Sequence, residues 1–203
     1  HNVLTFEISG APELKQSFDA FRNELLEYQN IKSISGGMWL PPAENRMNMS
    51  VKPEGNSKKK IKVEALYVDK DFLKTLDIRL KEGKTISEFG NNFENKILIN
   101  ESAIKELGLE EPIGKNYWMG EIVGVIEDFH FHSFREQIQP MFIIGGRRMI
   151  REGLIKFDGN NLSSVKQTIQ SKAEKYAGTA NISLTFLNQN FKTLYEKERK
   201  LAL

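Results

Sequence analysis

The feature that most constrains the fold is a strand–helix–strand pattern that occurs near both ends of the chain. Near the start, apolar residues alternate and then recur at helical spacing: Leu4, Phe6 and Ile8, followed by Leu14, Phe18, Phe21, Leu25 and Tyr28. An extended segment at 31–34 completes this first pattern. The same order recurs near the end, with a strand at 154–157, a helical stripe and an alternating segment: Leu162, Val165, Ile169, Ala173 and Tyr176, then Ile182, Leu184 and Phe186. Two such units predict one antiparallel sheet with both helices on one face, a split βαβ or ferredoxin-like lobe.

The middle of the chain is predicted to form a second, inserted lobe. Gly36 and Gly37 open a long polar loop that extends to Lys60. Beyond this loop, short strands at 63–68 and 97–99 alternate with short helices that Asp69 and Asn100 would cap. We therefore predict an α+β fold, with a basal α/β lobe made from residues 1–52 and 140–203 and an inserted β-rich lobe at 53–139.

The stretch at 122–142 carries the residues that most resemble an active site. An apolar run at 122–126 predicts a core strand, and beyond it Asp128, His130 and His132 alternate with Phe129 and Phe131. If the strand continues, the three polar side chains share one face, where two imidazoles and a carboxylate could bind zinc or act as a general base. A soluble metal-dependent enzyme is therefore the alternative function.

A structural role for these histidines is the main interpretation. The chain has no cysteine and three histidines, so a zinc site would lack the further thiolates or imidazoles that such sites favour. Phenylalanines flank His130, and burial beside Asp128 would let its ring donate one structural hydrogen bond. We predict no metal, no other cofactor and no catalytic residue.

Charge and hydropathy exclude several classes of protein. Lys and Arg number 29 against 27 Asp and Glu, and this balance gives no sign of a nucleic-acid partner. The short run Lys58–Lys60 lies in a polar segment and is typical of a solvated loop tip. No apolar run approaches the roughly 18 residues of a membrane span. The chain starts almost directly on the apolar segment VLTFEI, which favours a fragment of a longer protein.

Four segments in order resemble one family over the chain from about Val68 to its end. They are VDKDFLKTLDIRLKEGKTIS, KILINESAIKELGLEEPIGK, IVGVIEDFHFHSFREQIQPMF and FLNQNFKTLYEKERK. Together they resemble the extracytoplasmic domain of MacB/FtsX-type ABC transporter permeases, especially those of Bacteroidetes. The first 60 residues are similar to that family only in outline.

The resemblance implies a domain on the periplasmic side of the inner membrane, between two transmembrane helices that this segment lacks. Such permeases carry no nucleotide site, and a separate cytoplasmic ATPase works beneath them. The domain is then expected to transmit ATP-driven motion or to engage envelope partners or substrate. A second permease copy and a periplasmic adaptor or lipoprotein are the expected partners, and the basal lobe is expected to be membrane-proximal.

The resemblance also assigns structural and coupling roles by position. Glu82-Gly83 and Pro112-Ile113-Gly114-Lys115 would be turns that fix the inserted lobe, and Asp128-Phe129-His130-Phe131 would cross back to the basal lobe. His132 falls where the family is expected to vary. The last segment, 188–203, predicts an amphipathic helix with Leu194 and Tyr195 on its apolar stripe. This helix is either a lever toward the next membrane span or a terminal helix that completes the core.

Overall fold

The protein has an α+β fold, as the sequence predicts. The computed structural model describes residues 2–40, 47–55, 58–117, 120–129, 137–159, 162–178 and 182–187. Within these ranges no helix combines the length and the apolar character that crossing a bilayer requires.

Eleven strands form one mixed sheet. They are β1 (Val3–Glu7), β2 (Ile31–Met38), β3 (Met47–Val51), β4 (Ile61–Val68), β5 (Leu80–Gly83), β6 (Lys96–Asn100), β7 (Asn116–Tyr117), β8 (Gly120–Ile126), β9 (Met141–Gly145), β10 (Glu152–Phe157) and β11 (Thr185–Phe186). The described helices are α1 (Pro12–Gln16), α2 (Phe18–Leu26), α3 (Phe72–Leu76), α4 (Glu101–Leu107) and α5 (Leu162–Ala177). Short 3-10 turns occur at Ile86–Phe89 and Arg147–Met149.

The strand order divides the sheet into two halves. The order is β11-β1-β10-β2-β4-β9-β6-β8-β5, while β3 pairs with β4 and β7 pairs with β8. The first four strands come from the two ends of the chain and pair antiparallel; we call them the chain-end strands. The other strands are the middle strands. The strand–helix–strand pattern predicted at both chain ends is present, and the ferredoxin-like description of this half stays a prediction.

Two strands that the sequence assigned to the basal lobe, with boundaries at residues 52 and 140, pair with strands of the inserted lobe. Strand β3 pairs with β4, inside what the sequence predicted as a loop, and β9 lies between β4 and β6. All five residues of β9 are buried, which requires a strand covered on both faces. An apolar run predicts such burial, but it does not identify the strand beside it, so the division into lobes stays a prediction.

The chain-end strands are covered on both faces. Helices α1, α2 and α5 pack on one face against alternate strand residues that include Leu4 and Ile155. Helix α3 belongs to the cluster that includes the intervening residues Val3 and Leu154. Ser17, with φ −99° and ψ 13°, interrupts the single helix that the apolar stripe from Leu14 to Tyr28 predicts, and it separates α1 from α2. One apolar cluster therefore extends from the chain-end strands to the middle strands.

Candidate functional site

The feature that the fold singles out is the short junction between β2 and β4, where the two halves of the sheet meet. The strands share two register pairs, Gly37 with Val68 and Met38 with Tyr67, whereas β2 and β10 share six. A Cβ at Gly37 would lie 2.5 Å from the Tyr67 carbonyl oxygen, so only glycine permits this approach. The prediction that Gly36 and Gly37 open a loop is therefore wrong, because both glycines lie within β2.

Asp69, the residue after β4, takes the place of a strand partner just beyond these two pairs. Its backbone N–H donates to the Gly36 carbonyl at 2.8 Å, and its Oδ2 accepts from the Gly36 N–H at 2.8 Å. Its Oδ1 accepts from the Ser35 hydroxyl at 2.7 Å and from the Asp71 N–H at 3.0 Å. The N–H group of Gly36 therefore bonds the Asp69 side chain, and its carbonyl bonds the Asp69 N–H. These two bonds take the place of further strand pairing between β2 and β4.

Arg22 joins α2 to this carboxylate from the helical layer. Its Nη1 lies 3.2 Å from Asp69 Oδ2 and 3.5 Å from Asp71 Oδ2, and its Nη2 lies 2.7 Å from Asp19 Oδ1. Arg22 is 8% exposed and Asp69 is 3% exposed, so this pair is shielded from water. Burial raises the pKa of Asp69 to about 6, although Ser35, Arg22 and two backbone N–H groups stabilise its charged form.

Glu152 lies on the other side of the same junction. It begins β10, where it is opposite Gly37 of β2 and Glu7 of β1. The nearby backbone N–H groups of Trp39 and Leu40 favour the ionised form of its carboxyl and hold its pKa below the value that burial alone would give, and Trp39 has a φ of 61°. Burial, reinforced by the charge of Glu7, raises the pKa of Glu152 to about 7.

Analysis of the sequence missed this cluster. It predicted that Asp69 caps α3, but α3 begins at Phe72 and follows Asp71, and no side-chain cap is present there. The available signal was the position of Arg22, which shares the buried stripe of α2 with Phe18 and Leu25. A charged residue on an apolar stripe requires a buried partner, but a sequence does not show which acid provides it.

The predicted crossing after β8 begins at the start of α4. The Asp128 carboxylate accepts from the Ser102 N–H at 3.0 Å and from the Ser102 hydroxyl at 2.6 Å. The Asp128 N–H donates to Glu101 Oε2 at 3.2 Å. These contacts hold Asp128 against the helix terminus. The other members of the proposed metal set, His130 and His132, lie outside the described residues, as does Phe131, so the metal hypothesis stays open.

Asn100 holds the chain where it returns to the sheet. Its Oδ1 accepts from the Ala103 N–H at 3.0 Å and from the Met141 N–H at 2.9 Å, and its Nδ2 donates to the Gln139 carbonyl at 2.9 Å. Asn100 is 1% exposed. The predicted cap of α4 is confirmed, and the same side chain also fixes the entry of β9.

The two segments predicted as turns both contact β8, but the turn predicted at Glu82-Gly83 is wrong, because both residues lie in strand β5. Gly83 has a φ of 82°, and a Cβ there would lie 2.4 Å from the Val123 carbonyl oxygen and 2.9 Å from Ile113 Cδ1. Gly114 has a φ of 84°, and its N–H donates to the Ile122 carbonyl at 2.7 Å. The structure therefore brings Gly83 and Ile113 together beside the middle of β8.

The remaining members of the predicted set are distributed as follows. Pro112 is buried, Glu82 is exposed, and Phe129 is partly buried against the cluster that contains α3. Lys115 Nζ lies 2.7 Å from Glu54, which joins the turn to the end of β3. Leu194 and Tyr195 lie outside the described residues. Among the residues that are described, no three His, Asp or Glu side chains are grouped as a metal site requires. The coupling roles of the set stay predictions.

Solved structures with this fold include three domains from transport proteins. The periplasmic region of MacB from Actinobacillus actinomycetemcomitans matches with a TM-score of 0.64 and 13% identity, over 96% of this chain and 92% of that one. The extracellular domain of the noncanonic ABC-type transporter YknZ from Gram-positive bacteria matches with a TM-score of 0.60 and 11% identity, over 90% of this chain and 98% of that one. A domain assigned to a permease protein from Porphyromonas gingivalis matches with a TM-score of 0.54 and 17% identity, over 90% and 88%.

No family profile and no curated protein sequence matches this chain. The likeness to the solved structures therefore rests on the arrangement of strands and helices, at identities of 11% to 17%. Nearly the whole length of each domain takes part in the match. The chain has the α+β fold of the MacB periplasmic region, the fold that its sequence motifs led us to expect.

Proposed function

We propose that this chain is the extracytoplasmic domain of an ABC transporter permease and that it transmits motion between the membrane and partners outside it. The observation that carries this proposal is the fold match to the periplasmic region of MacB over 96% of the chain. The YknZ domain supports it, because it comes from a second transporter and is matched over 98% of its own length.

The positions of the first and last described strands suit such a domain. Leu4 of β1 is opposite Phe186 of β11, and Thr5 is opposite Thr185. The chain therefore enters and leaves the sheet at neighbouring points on one edge. Two membrane spans attached there would move the chain-end strands directly, and the middle strands would follow through the junction with β4.

In this proposal a separate cytoplasmic ATPase hydrolyses ATP. The domain moves together with the same domain of a second permease copy. A periplasmic adaptor, a lipoprotein or the transported substrate would contact the middle strands. Segment 188–203, with Leu194 and Tyr195, is assigned the link to the following membrane span. The end of β5 at 82–83 and the turn at 112–115 would keep the middle strands stiff, since both contact β8.

A domain that transmits motion needs helices and strands that are packed rigidly against each other. Phe21 of α2 is fully buried between Phe6 of β1 and Tyr176 of α5, with ring centroids 6.0 and 6.2 Å away. Glu24 of α2 also bonds Lys172 of α5 at 2.8 Å. These contacts make α2, α5 and the chain-end strands one packed unit.

A labelling experiment on the full-length protein tests the location. The 203 residues contain no cysteine, so Glu174→Cys on the exposed side of α5 gives this domain one reactive thiol, and labelling is measured relative to the unsubstituted full-length protein. A membrane-impermeant maleimide should label this thiol in intact spheroplasts. The matched control is Ala173→Cys, which is buried and should react only after unfolding. Labelling of Glu174→Cys only after the membrane is permeabilised would contradict the proposal.

A second measurement tests transmission itself. A fluorescent label on Glu106→Cys, exposed on α4 among the middle strands, should change its emission when ATP is added to the reconstituted permease–ATPase complex. The same label should not respond when the ATPase is inactive. Steady ATP hydrolysis with no change at this position or at Glu174→Cys would refute transmission through the domain.

A further inference from the structure

The entry to β1, the entry to β2 and the exit from β10 lie at one end of the chain-end strands. The Phe157 N–H donates to the Asn2 carbonyl at 3.0 Å, and the Asp158 N–H donates to the Asn30 carbonyl at 2.8 Å. Asn2 precedes β1, Asn30 precedes β2, and Asp158 follows β10. Strand β11 is antiparallel to β1 and therefore also ends there. We call this the entry end of the sheet, because the chain enters β1 and leaves β11 at it.

Two exposed apolar side chains lie at the entry end, and we call them the apolar pair. The turn from α2 to β2 is closed by hydrogen bonds from the Tyr28 N–H to the Leu25 carbonyl at 3.1 Å and from the Ile31 N–H to the Tyr28 carbonyl at 2.9 Å. The pair consists of Leu26, 41% exposed, and Tyr28, 40% exposed. Of the large apolar side chains that the structure describes, only Ile113 reaches a similar exposure, at 37%. Single exposed apolar residues are common, but here the two most exposed ones lie within three positions of each other.

The charges around the apolar pair are balanced. Three cationic and three anionic side chains lie around it: Lys32, Lys172 and Lys175, and Glu24, Glu27 and Asp158. They pair with each other, since Lys32 lies 3.5 Å from Asp158 and Lys172 lies 2.8 Å from Glu24. An anionic surface would therefore gain little electrostatic attraction from this end of the protein.

The apolar pair is matched to the boundary between lipid headgroups and acyl chains. Tyrosine is enriched at this boundary, because its ring is apolar and its hydroxyl is polar. The Lys172 Nζ lies 5.7 Å from the centroid of the Tyr28 ring, so the ring lies beside α5 and outside the core. Leu26 adds apolar surface next to it without adding charge.

We propose that the apolar pair contacts the headgroup region of the lipid bilayer and that the turn at 26–30 is where the domain touches the membrane. The inference rests on the proposed function, which attaches membrane spans at the entry end. Contact at the turn, together with the two chain connections, would hold the entry end at three points. Rotation of the domain about its connections would then be resisted, and displacement of the spans would reach β1 and β11.

Quenching by labelled lipid in the reconstituted permease–ATPase complex tests this contact. Tyr28→Cys is labelled with bimane in vesicles of phosphatidylcholine, and a fraction of the lipid carries a nitroxide on its headgroup. The bimane emission should fall by about 2-fold or more, because the label would lie among the headgroups. The matched control is Glu13→Cys, exposed on α1, which follows the opposite end of β1. Its emission should change little.

Further measurements identify the cause, each made relative to the unsubstituted full-length protein. Leu26→Gln in the bimane-labelled protein should weaken the quenching, because it removes apolar surface, whereas Leu26→Met should preserve it. Replacement of part of the phosphatidylcholine by phosphatidylglycerol should leave the quenching unchanged, since the charges around the pair are balanced. Both positions are exposed, so urea denaturation of the isolated chain should show the parent stability for each variant.

Absence of quenching at position 28, equal quenching at position 13, or no effect of Leu26→Gln would overturn the contact. Shielding of the label from aqueous iodide without quenching by the nitroxide lipid would also overturn it, because a protein surface, such as a second copy of the domain, would then cover the pair. Quenching that requires phosphatidylglycerol would attribute the contact to the lysines and overturn its apolar basis. Thiol labelling in spheroplasts is independent: Glu174→Cys labelled from outside, with the label at position 28 unquenched, would remove the contact and leave the proposed function standing.

Discussion

Arg22 in the middle of α2 bonds Asp69, the residue at which the chain leaves β4, with Nη1 and Oδ2 3.2 Å apart. The two residues are 47 positions apart in the chain: Arg22 lies on a helix that packs on the chain-end strands, and Asp69 directly follows β4, one of the middle strands. Through this contact the helical layer is tied to the point where the middle strands begin. A displacement of α2 would therefore act directly on the junction between the halves.

Arg22→Ala should lower the free energy of unfolding by about 3–5 kcal/mol, because it leaves the Asp69 carboxylate buried without its cation. Urea denaturation of the isolated chain measures the change. Lys32→Ala is the matched control, because Lys32 pairs with Asp158 at 3.5 Å in an exposed ion pair that should contribute less than about 1 kcal/mol. Equal effects of the two substitutions would show that the buried Arg22–Asp69 contact stabilises the fold no more than an exposed ion pair does.

Asn100→Ala should cost about 2–3 kcal/mol, since it removes the cap of α4 and leaves the buried Met141 N–H and Gln139 carbonyl without a partner. Thermal unfolding provides the measurement. Thr85→Ala, at an exposed capping box, is the control and should cost no more than about 1 kcal/mol. An Asn100→Ala chain as stable as the parent would mean that water replaces all three hydrogen bonds.

Gly83→Ala should destabilise the protein strongly, because the new Cβ would lie 2.4 Å from the Val123 carbonyl oxygen at a φ of 82°. Gly90→Ala is the matched control. Gly90 also has a positive φ, 55°, but no atom lies within 4 Å of the new Cβ, so only backbone strain of about 1 kcal/mol is expected. Similar midpoints of urea denaturation for the two variants would exclude steric contact with β8 as the reason for glycine at position 83.

The free energy of unfolding should decrease as the pH rises from 5 to 8. The folded-state pKa values of Asp69 and Glu152, about 6 and about 7, lie above those of the unfolded chain, so the native state binds more protons in this window. Their contribution is fully present below about pH 4 and is lost as the pH passes through these values. Over this window the two pKa values correspond to a loss on the order of 4 kcal/mol. Glu152→Gln should flatten the upper part of the curve, and a rise in stability over this range would contradict the assignment.

Glu24 should act in the opposite direction at lower pH. Hydrogen bonds from Lys172, Lys175 and Tyr176 lower the pKa of Glu24 to about 2, so its stabilising contribution is lost as the pH falls from about 4.5 toward 2. Glu24→Gln should reduce the acid sensitivity of the parent chain in that range. Added salt should do the same, because this ion cluster lies at the surface of α2 and α5. Acid unfolding curves that coincide for the two chains would exclude this role.

The sequence by itself determined the local elements. Alternating apolar residues in β1, the helical stripe of α5 and the Asn100 cap of α4 were all predicted, because each depends on neighbours a few residues away. The strand–helix–strand pattern at both chain ends followed from the same local periodicities. The α+β class could therefore be predicted, and the motif order pointed to the MacB-like fold.

Only the tertiary structure decided which strands are neighbours and which charges meet. The pairing of β9 with β4 and β6, the extension of β2 through Gly36 and Gly37, and the Arg22–Asp69 contact depend on residues far apart in the chain. An apolar strand can pair with any strand that buries its faces, and a buried arginine can donate hydrogen bonds to any nearby carboxylate. Periodicity along the chain carries no information about that choice, which is made when the whole core and its polar groups are satisfied together.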